Sequence, residues 1–262
     1  MYSVTILIAS YNRLDFLKEA VHSALTQNYP DFEVLVIDDG SSEKTRSWLC
    51  HAESKNKQLR VIFQEHKGVA ATRANGVKAA SKDLILILDS DDRLLPGTLG
   101  KIAGEFELQP EIDLLYVNIC HLLPNGKIWN RSYPSFKSNR MMTWVTLLFP
   151  RLPFKHSGTT YRRKTALELN TYDKSLPCKV DIDFFLKYMK NGKDLYLLKG
   201  QPMVLFRVHS QSLSRDRILG TKVWSLLIDR YGPKNPFLRF FIKIFKIGFE
   251  LLKIVYVNVR KE

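Results

Sequence analysis

Leu84-Ile85-Leu86-Ile87-Leu88-Asp89-Ser90-Asp91-Asp92 joins an unbroken apolar run to three carboxylates. The run reads as a buried strand, so the acids crowd its carboxyl end. At neutral pH they repel one another, and burial raises their pKa values unless a cation or a set of backbone donors balances them. A divalent metal does this. In an extended chain residues two apart point the same way, so Asp89 and Asp91 converge on one ion while Asp92 faces elsewhere. Mg²⁺ or Mn²⁺ suits such a site, because these hard ions take a few carboxylate oxygens and fill their other positions with water and substrate phosphate. A phosphorylated ligand is implied. The alternative is an acidic turn whose aspartates cap the helix starting near Pro96.

Outward from this stretch, apolar runs alternate with segments of helical period. Val4 to Ala9, Phe32 to Ile37, Leu59 to Phe63 and Asp83 to Leu88 read as strands, with helices near 14–27, 43–53 and 69–80 between them. This βαβαβαβ order predicts an α/β chain: a mostly parallel sheet, helices on both faces, and ligands at the carboxyl ends of the strands. The polar clusters Ser10-Tyr11-Asn12-Arg13, Asp38-Asp39-Gly40-Ser41-Ser42 and the acidic tetrad all fall on that rim. Neither a dinucleotide-binding G-x-G-x-x-G nor a P-loop follows the first strand. A nucleotide would therefore have its diphosphate neutralised by metal and Arg or Lys, Tyr11 stacked on the base, and an aspartate accepting a base or ribose hydrogen. Each cluster also has a plainer reading as loop, turn and helix-cap chemistry.

Composition leaves this open and removes rivals. The 262 residues are 45% hydrophobic and 25% charged, enough for one substantial core or two small domains. Cys50, Cys120 and Cys178 are odd in number and unpaired in spacing, which argues against a disulfide framework or a zinc site. No secretion signal is visible ahead of the first strand, so a reducing, cytoplasmic setting is expected. The net charge of +14 is uneven: residues 1–110 carry 13 basic and 15 acidic side chains, residues 111–262 carry 27 and 11. A basic half suits nucleic acid, anionic lipid or a phosphorylated acceptor, and charge alone does not choose.

Ala9-Ser10-Tyr11-Asn12-Arg13, Val36-Ile37-Asp38-Asp39-Gly40-Ser41, Gly68-Val69-Ala70-Ala71-Thr72-Arg73-Ala74-Asn75 and Leu88-Asp89-Ser90-Asp91-Asp92 occur in an order and spacing that resembles the family-2 inverting glycosyltransferases of the GT-A fold. The resemblance spans residues 1 to about 110 and continues more loosely to about 215. It implies a nucleotide-sugar donor, usually a UDP-sugar, held with Mn²⁺ or Mg²⁺. By it, Tyr11 and Asp39 hold the base, and Arg73 lies near base and diphosphate. Asp89-Ser90-Asp91 is the DXD motif, with Asp91 the first metal ligand, Asp89 on ribose or metal, and Asp92 in support. Ala9 stands where many relatives carry Thr or Pro, leaving only its backbone to contact the donor.

Inverting transfer needs a carboxylate beside the attacking hydroxyl. The corresponding stretch resembles Val180-Asp181-Ile182-Asp183-Phe184-Phe185, opening a helix to about Lys190, with Val180 where Glu is common. Asp181 is the expected base and Asp183 the alternative; both could instead favour a helix N-terminus. Phe206-Arg207-Val208-His209-Ser210-Gln211-Ser212-Leu213-Ser214 resembles the family's R-x-H-x-x-S-x-S segment, which brings Arg207 to the diphosphate and His209 to metal or diphosphate. His156-Ser157-Gly158, ahead of an expected strand at Thr159 to Tyr161, is a candidate acceptor wall.

From Phe237 to Val257, 15 of 21 residues are apolar, and Arg239, Lys243, Lys246, Glu250 and Lys253 recur at intervals of 4, 3, 4 and 3. On a helix they make one narrow polar stripe. Central charges disfavour a transmembrane span. A helix in the membrane interface, stripe among the headgroups, is expected, with core packing or dimerisation as alternatives. The organisation expected is a donor half (1–110), an acceptor and base half of the same domain (111–215), and a basic helical tail (216–262). The function expected is sugar transfer to a glycan or lipid-linked acceptor in cell-surface polysaccharide synthesis, on the inner face of the cell membrane, with an oligomer left open. The rivals are a metal-dependent nucleotidyltransferase, which normally shows a Gly-rich basic loop after strand one, and a basic nucleic-acid-binding module, which leaves the acidic rim unexplained. No nucleic acid is expected.

Overall fold

A computed structural model describes residues 1–136, 138–149, 154–209 and 217–259, with the backbone alone for 217–218 and 251–259. The first half alternates as the periodicity indicates: β1 (Val4–Ser10), α1 (Leu14–Leu25), β2 (Phe32–Asp38), α2 (Glu43–Lys55), β3 (Leu59–Phe63), α3 (Gly68–Ala79) and β4 (Leu84–Ile87). Then follow β5 (Arg93–Leu94), α4 (Thr98–Leu108), β6 (Leu114–Val117), β7 (Ile119–Leu122) and β8 (Ile128–Arg131). After α5 (Asn139–Leu148) come β9 (Thr160–Arg162), α6 (Arg163–Glu168), α7 (Val180–Lys190), β10 (Leu195–Leu198), β11 (Val204–Arg207), α8 (Arg217–Tyr231) and α9 (Pro236–Val259).

Seven strands form the main sheet in the order β10-β6-β9-β4-β1-β2-β3, in which only β9 runs antiparallel to its neighbours. The strands of the first half are Val, Ile and Leu runs because both faces are covered; Ile6, Ile8, Val34, Val36, Leu84 and Leu86 are all fully buried. Close packing sets the rim. A Cβ on Gly76 would lie 2.4 Å from a Leu7 methyl, so a larger residue there would force Leu7 to shift where α3 packs on β1. Arg73, one turn earlier on the same helix, is thereby held at the strand ends.

A second sheet, ordered β5-β11-β7-β8, stands beside the acidic turn. β11 ties it to the first sheet's rim: the Arg207 amide donates to Asp92 Oδ1 at 2.9 Å. Gly158 (φ +85) precedes β9, and a Cβ there would collide with Val204 at 2.6 Å and Val117 at 2.7 Å, so a side chain is excluded where the two sheets meet.

The tail reverses the expected orientation. No helix among the described residues is long and apolar enough to cross a membrane. The polar stripe of α9 faces the protein, however, and not the headgroups. Lys246 is fully buried, donates to the carbonyls of Thr146 (3.1 Å) and Phe149, and sits 3.5 Å from the Trp224 ring centroid. Glu250 is buried, and Lys243 pairs with Asp229 at 2.6 Å. The charges find carbonyl, carboxylate and aromatic partners on α5 and α8 that a lone helix would lack. The opposite face, with Phe237, Phe240, Phe241, Ile244 and Phe245, is left exposed.

Candidate active site

After Leu88 the chain does not stay extended. It turns, with the Asp92 amide donating to the Asp89 carbonyl at 3.0 Å. Asp92 therefore does not face elsewhere: Asp89, Asp91 and Asp92 each offer an oxygen within 4.8 Å of the others. The i, i+2 argument holds for a strand and fails in a turn. Asp92 is 1% exposed, and its Oδ2 has no hydrogen-bond partner among the described residues. Burial, and then the Asp89 and Asp91 carboxylates, hold its pKa well above the ordinary aspartate value. Burial likewise raises Asp89, helped by Asp91 and Asp181 and opposed by Arg73. Three hard oxygen donors with one orphaned buried atom fit a divalent cation.

Basic side chains from three parts of the chain converge on this turn. Arg73 of α3 donates to Asp89 Oδ1 at 2.6 Å. Burial works against that guanidinium, but Asp89, Tyr172 and Asp181 outweigh it, so its pKa rises. Arg13, at the end of the β1 loop, pairs with Asp91, and His209 Nε2 lies 2.8 Å from Asp91 Oδ2. Arg207 braces the turn from behind: its Nε donates to the Asp91 carbonyl at 3.2 Å and its Nη2 meets Glu19 of α1 at 2.6 Å. Ser210 to Ser214 of the same sequence segment lie outside the described residues.

The candidate base pocket sits on the neighbouring strand ends. Tyr11 is exposed and stacks on His66, ring centroids 4.1 Å apart and planes 26° off parallel. Ala9, half-buried near the end of β1, pairs in register with Ile37 of β2. Asp39 is 3% exposed and saturated: Gln64 Nε2, the Lys67 and Gly68 amides and His66 Nδ1 all lie 2.7–2.9 Å from its oxygens. It caps the N-terminus of α3, where a carboxylate is favoured. Asn12 and the 41–42 loop lock reciprocally, Asn12 amide to Ser41 Oγ at 2.9 Å and Ser42 amide to Asn12 Oδ1 at 2.8 Å.

Opposite the turn, α7 begins at Val180 and separates its two acids. Asp183 is fully buried and accepts from Tyr231 Oη at 2.8 Å and Arg230 Nη1 at 3.4 Å, which fixes α8 to α7. Asp181 accepts no hydrogen bond from the described residues and stands within electrostatic reach of Asp89, Arg73 and Lys155. Of the two, Asp181 is the one that interacts electrostatically with Asp89. The candidate acceptor wall lies behind the site and does not line it: His156, Ser157 and Gly158 are buried, His156 Nε2 meets Tyr172 Oη at 2.8 Å, and Ser157 Oγ accepts the Asp89 amide at 3.3 Å. His156 Nδ1, by contrast, is buried with no hydrogen-bond partner among the described residues. A concavity of about 420 Å³ between α5, α7 and the α8–α9 link, lined by Trp144, Met189 and Tyr231, shares no residue with the acidic turn.

Arg13, Glu19, His66 and Lys155 are the site neighbours the sequence reading left out. His66 could have been found by position, because it follows β3 on the rim that carries the other clusters. Arg13 lies inside a quoted motif. Glu19 and Lys155 carry no local signal.

With this geometry in place, comparison with known proteins is decisive for the family. The model described as Glycosyl transferase family 2 matches residues 5–169. The chain belongs to this family. Among its relatives, chondroitin synthase of Pasteurella multocida is 26% identical over 198 residues, 75% of this chain but 20% of that protein. An uncharacterized glycosyltransferase of Methanocaldococcus jannaschii is 26% identical over 236 residues, 88% of this chain and 80% of that one. The chain thus spans about a fifth of the chondroitin synthase. The crystal structure of S. aureus TarS 1–349 in complex with UDP-GlcNAc superposes with a TM-score of 0.67 at 19% identity, covering 88% of this chain and 68% of that one. This likeness supports the GT-A α/β fold of a family-2 member.

Proposed function

We propose that this family-2 protein is an inverting glycosyltransferase that moves a sugar from a UDP-sugar to a hydroxyl of a glycan or lipid-linked acceptor in surface polysaccharide synthesis. The observation that carries this reading is the turn Asp89 to Asp92, three carboxylates within 4.8 Å of one another at the mouth of the central strands, faced by Asp181. Asp91 and Asp89, with His209 against Asp91, would hold Mn²⁺ or Mg²⁺. When bound, the ion supplies neutralising charge for a departing nucleoside diphosphate. Arg73 adds a fixed cation on the same side. Tyr11, with His66 behind it, offers a flat face to the base, while Asp39 holds the α3 terminus that shapes the pocket. Asp181 takes the proton from the acceptor hydroxyl as it attacks the anomeric carbon from the face opposite the leaving diphosphate.

The exposed apolar face of α9 extends the reading to location. A membrane surface at the inner face of the cell membrane, sunk onto Phe237, Phe240, Phe241, Ile244 and Phe245, would cover side chains that otherwise stand in water. Burying such a side chain fully contributes roughly 1.5–3 kcal/mol.

The test is metal-dependent turnover of a panel of nucleotide sugars by the full chain. Hydrolysis or transfer from at least one UDP-sugar, lost with a chelator and restored by Mn²⁺, is expected. Turnover of every donor unaffected by chelation would overturn the metal reading, and inertness toward every donor with an acceptor mixture present would overturn the donor reading.

A further inference from the structure

Beyond Asp181 the second sheet presents a row of rings that the donor side does not use. Phe206 of β11 pairs in register with His121 of β7, and His121 pairs with Trp129 of β8. Residues opposite one another on adjacent strands project from the same face, so the three rings form a continuous cross-strand ladder. Its centroids are spaced 5.3 Å apart at both steps, His121 and Trp129 being stacked with planes 22° apart. The ladder runs from a half-buried Phe206 through a buried His121, 8% exposed, to Trp129, 55% exposed on the outer strand. Burial, Lys155 and Arg131 all lower the His121 pKa, which favours the neutral ring.

Two cations flank this ladder. Lys155 Nζ sits 4.2 Å from the Phe206 ring centroid, and Arg131, two residues along β8 from Trp129, projects from the same face with its guanidinium 5.5 Å from the Tyr133 ring. Among the described residues, neither makes a hydrogen bond or an ion pair through its side chain. Burial lowers the Lys155 pKa; Asp181, Asp92 and Asp89 raise it, and Arg131 lowers it further. Lys155 is thus within reach of the candidate base and of a second cation, without a carboxylate of its own. Half-buried charges of one sign, held close together, are relieved by an anion that enters between them.

We propose that the Phe206-His121-Trp129 ladder is the acceptor subsite, and that Lys155 and Arg131 make it select a glycan bearing a carboxylate or phosphate near its attacking hydroxyl. This rests on the placement of Asp181 as the base. A sugar ring lays its apolar face on the exposed Trp129 end of the row, the guanidinium fork and ammonium take the anion, and the chain end is led to Asp181. The charge surplus of residues 111–262 suits an acidic acceptor.

The experiment titrates the full chain with three probes: a uronate-containing tetrasaccharide, its carboxyl-reduced neutral form, and a phosphate-bearing oligosaccharide of the same length. UDP binding, measured in parallel, reads the donor site separately. At least one anionic probe should bind about ten-fold or more tighter than the neutral form. Lys155→Gln should bring the two within about three-fold while UDP affinity is kept, and Trp129→Ala, an exposed position that leaves the core intact, should weaken all three probes alike. Which anionic probe wins identifies the source of the charge. Equal affinity for charged and neutral probes, no binding of any probe, or a Lys155→Gln variant that keeps the preference would overturn the proposal. So would a variant whose loss falls on UDP, which would place Lys155 on the diphosphate.

Discussion

His209 Nε2 lies 2.8 Å from Asp91 Oδ2, joining residues 118 positions apart in sequence across the mouth of the main sheet. The contact places the only imidazole that touches the acidic turn, among the described residues, on the carboxylate assigned as first metal ligand. His209→Ala is therefore expected to weaken Mn²⁺ affinity about 10- to 100-fold, the usual cost of losing a ligand or its orienting partner. Metal titration followed by donor turnover measures it. Unchanged affinity would reduce the contact to a hydrogen bond within the fold.

Asp181 and Asp183 should fail differently. Asp181→Asn should cut transfer at least about 100-fold with UDP binding and thermal stability retained. Asp183→Asn should cost about 1–3 kcal/mol of stability, because Asn keeps a neutral acceptor for Tyr231 but removes the buried charge that pairs with Arg230 and Lys187. Denaturant unfolding beside single-turnover transfer separates the two. Near-normal transfer by the Asp181 variant would remove it as the base.

The first four strands were legible because they are spelled as aliphatic runs, and β1 to β4 fall where periodicity places them, whereas β6 and β10 were not read from the sequence. Order along the rim was legible too, since ligand-bearing loops follow strand ends. What misled was local geometry. Asp92 was assigned away from Asp89 and Asp91 on the period of a strand, whereas the chain turns there. The stripe Arg239, Lys243, Lys246 and Glu250 was expected among lipid headgroups, with core packing as an alternative, yet α5 and α8 supply partners only the folded chain brings together. Lys155 was invisible for the same reason: its neighbours Phe206, Asp181 and Arg131 are distant in sequence.

The inverted α9 gives a direct expectation. Phe240→Asp with Phe241→Asp should lower sedimentation with anionic phospholipid vesicles at least about ten-fold and leave the unfolding temperature unchanged, since both rings already stand in solvent. Truncation after Gly232 should release the chain from vesicles. A variant still bound to vesicles would contradict membrane docking. Concentration-dependent dimerisation of the unaltered chain, abolished by the same pair, would assign the face to a second copy.

Asp173 supplies a pH test of the α8 attachment. Hydrogen bonds from Ser175 and Arg230, working against burial, hold its pKa down at about 2. A depressed carboxylate pKa adds stability that is present above the ordinary value near 4 and lost as pH falls through about 2. Discounted for solvent screening of this partly exposed group, Asp173→Asn should therefore cost up to about 1 kcal/mol at pH 7, with the difference shrinking between about pH 4 and pH 2. Denaturant midpoints across that range measure it. A pH-independent difference would show that the aspartate charge plays no part.

The central claim is that the turn Asp89 to Asp92 holds a metal for a nucleoside diphosphate, and UDP titration with and without Mn²⁺ tests it most directly, using the native chain and Asp91→Ala. The account predicts Mn²⁺-dependent UDP binding by the native chain that is lost in a folded Asp91→Ala variant. UDP binding that ignores both Mn²⁺ and the substitution would contradict it.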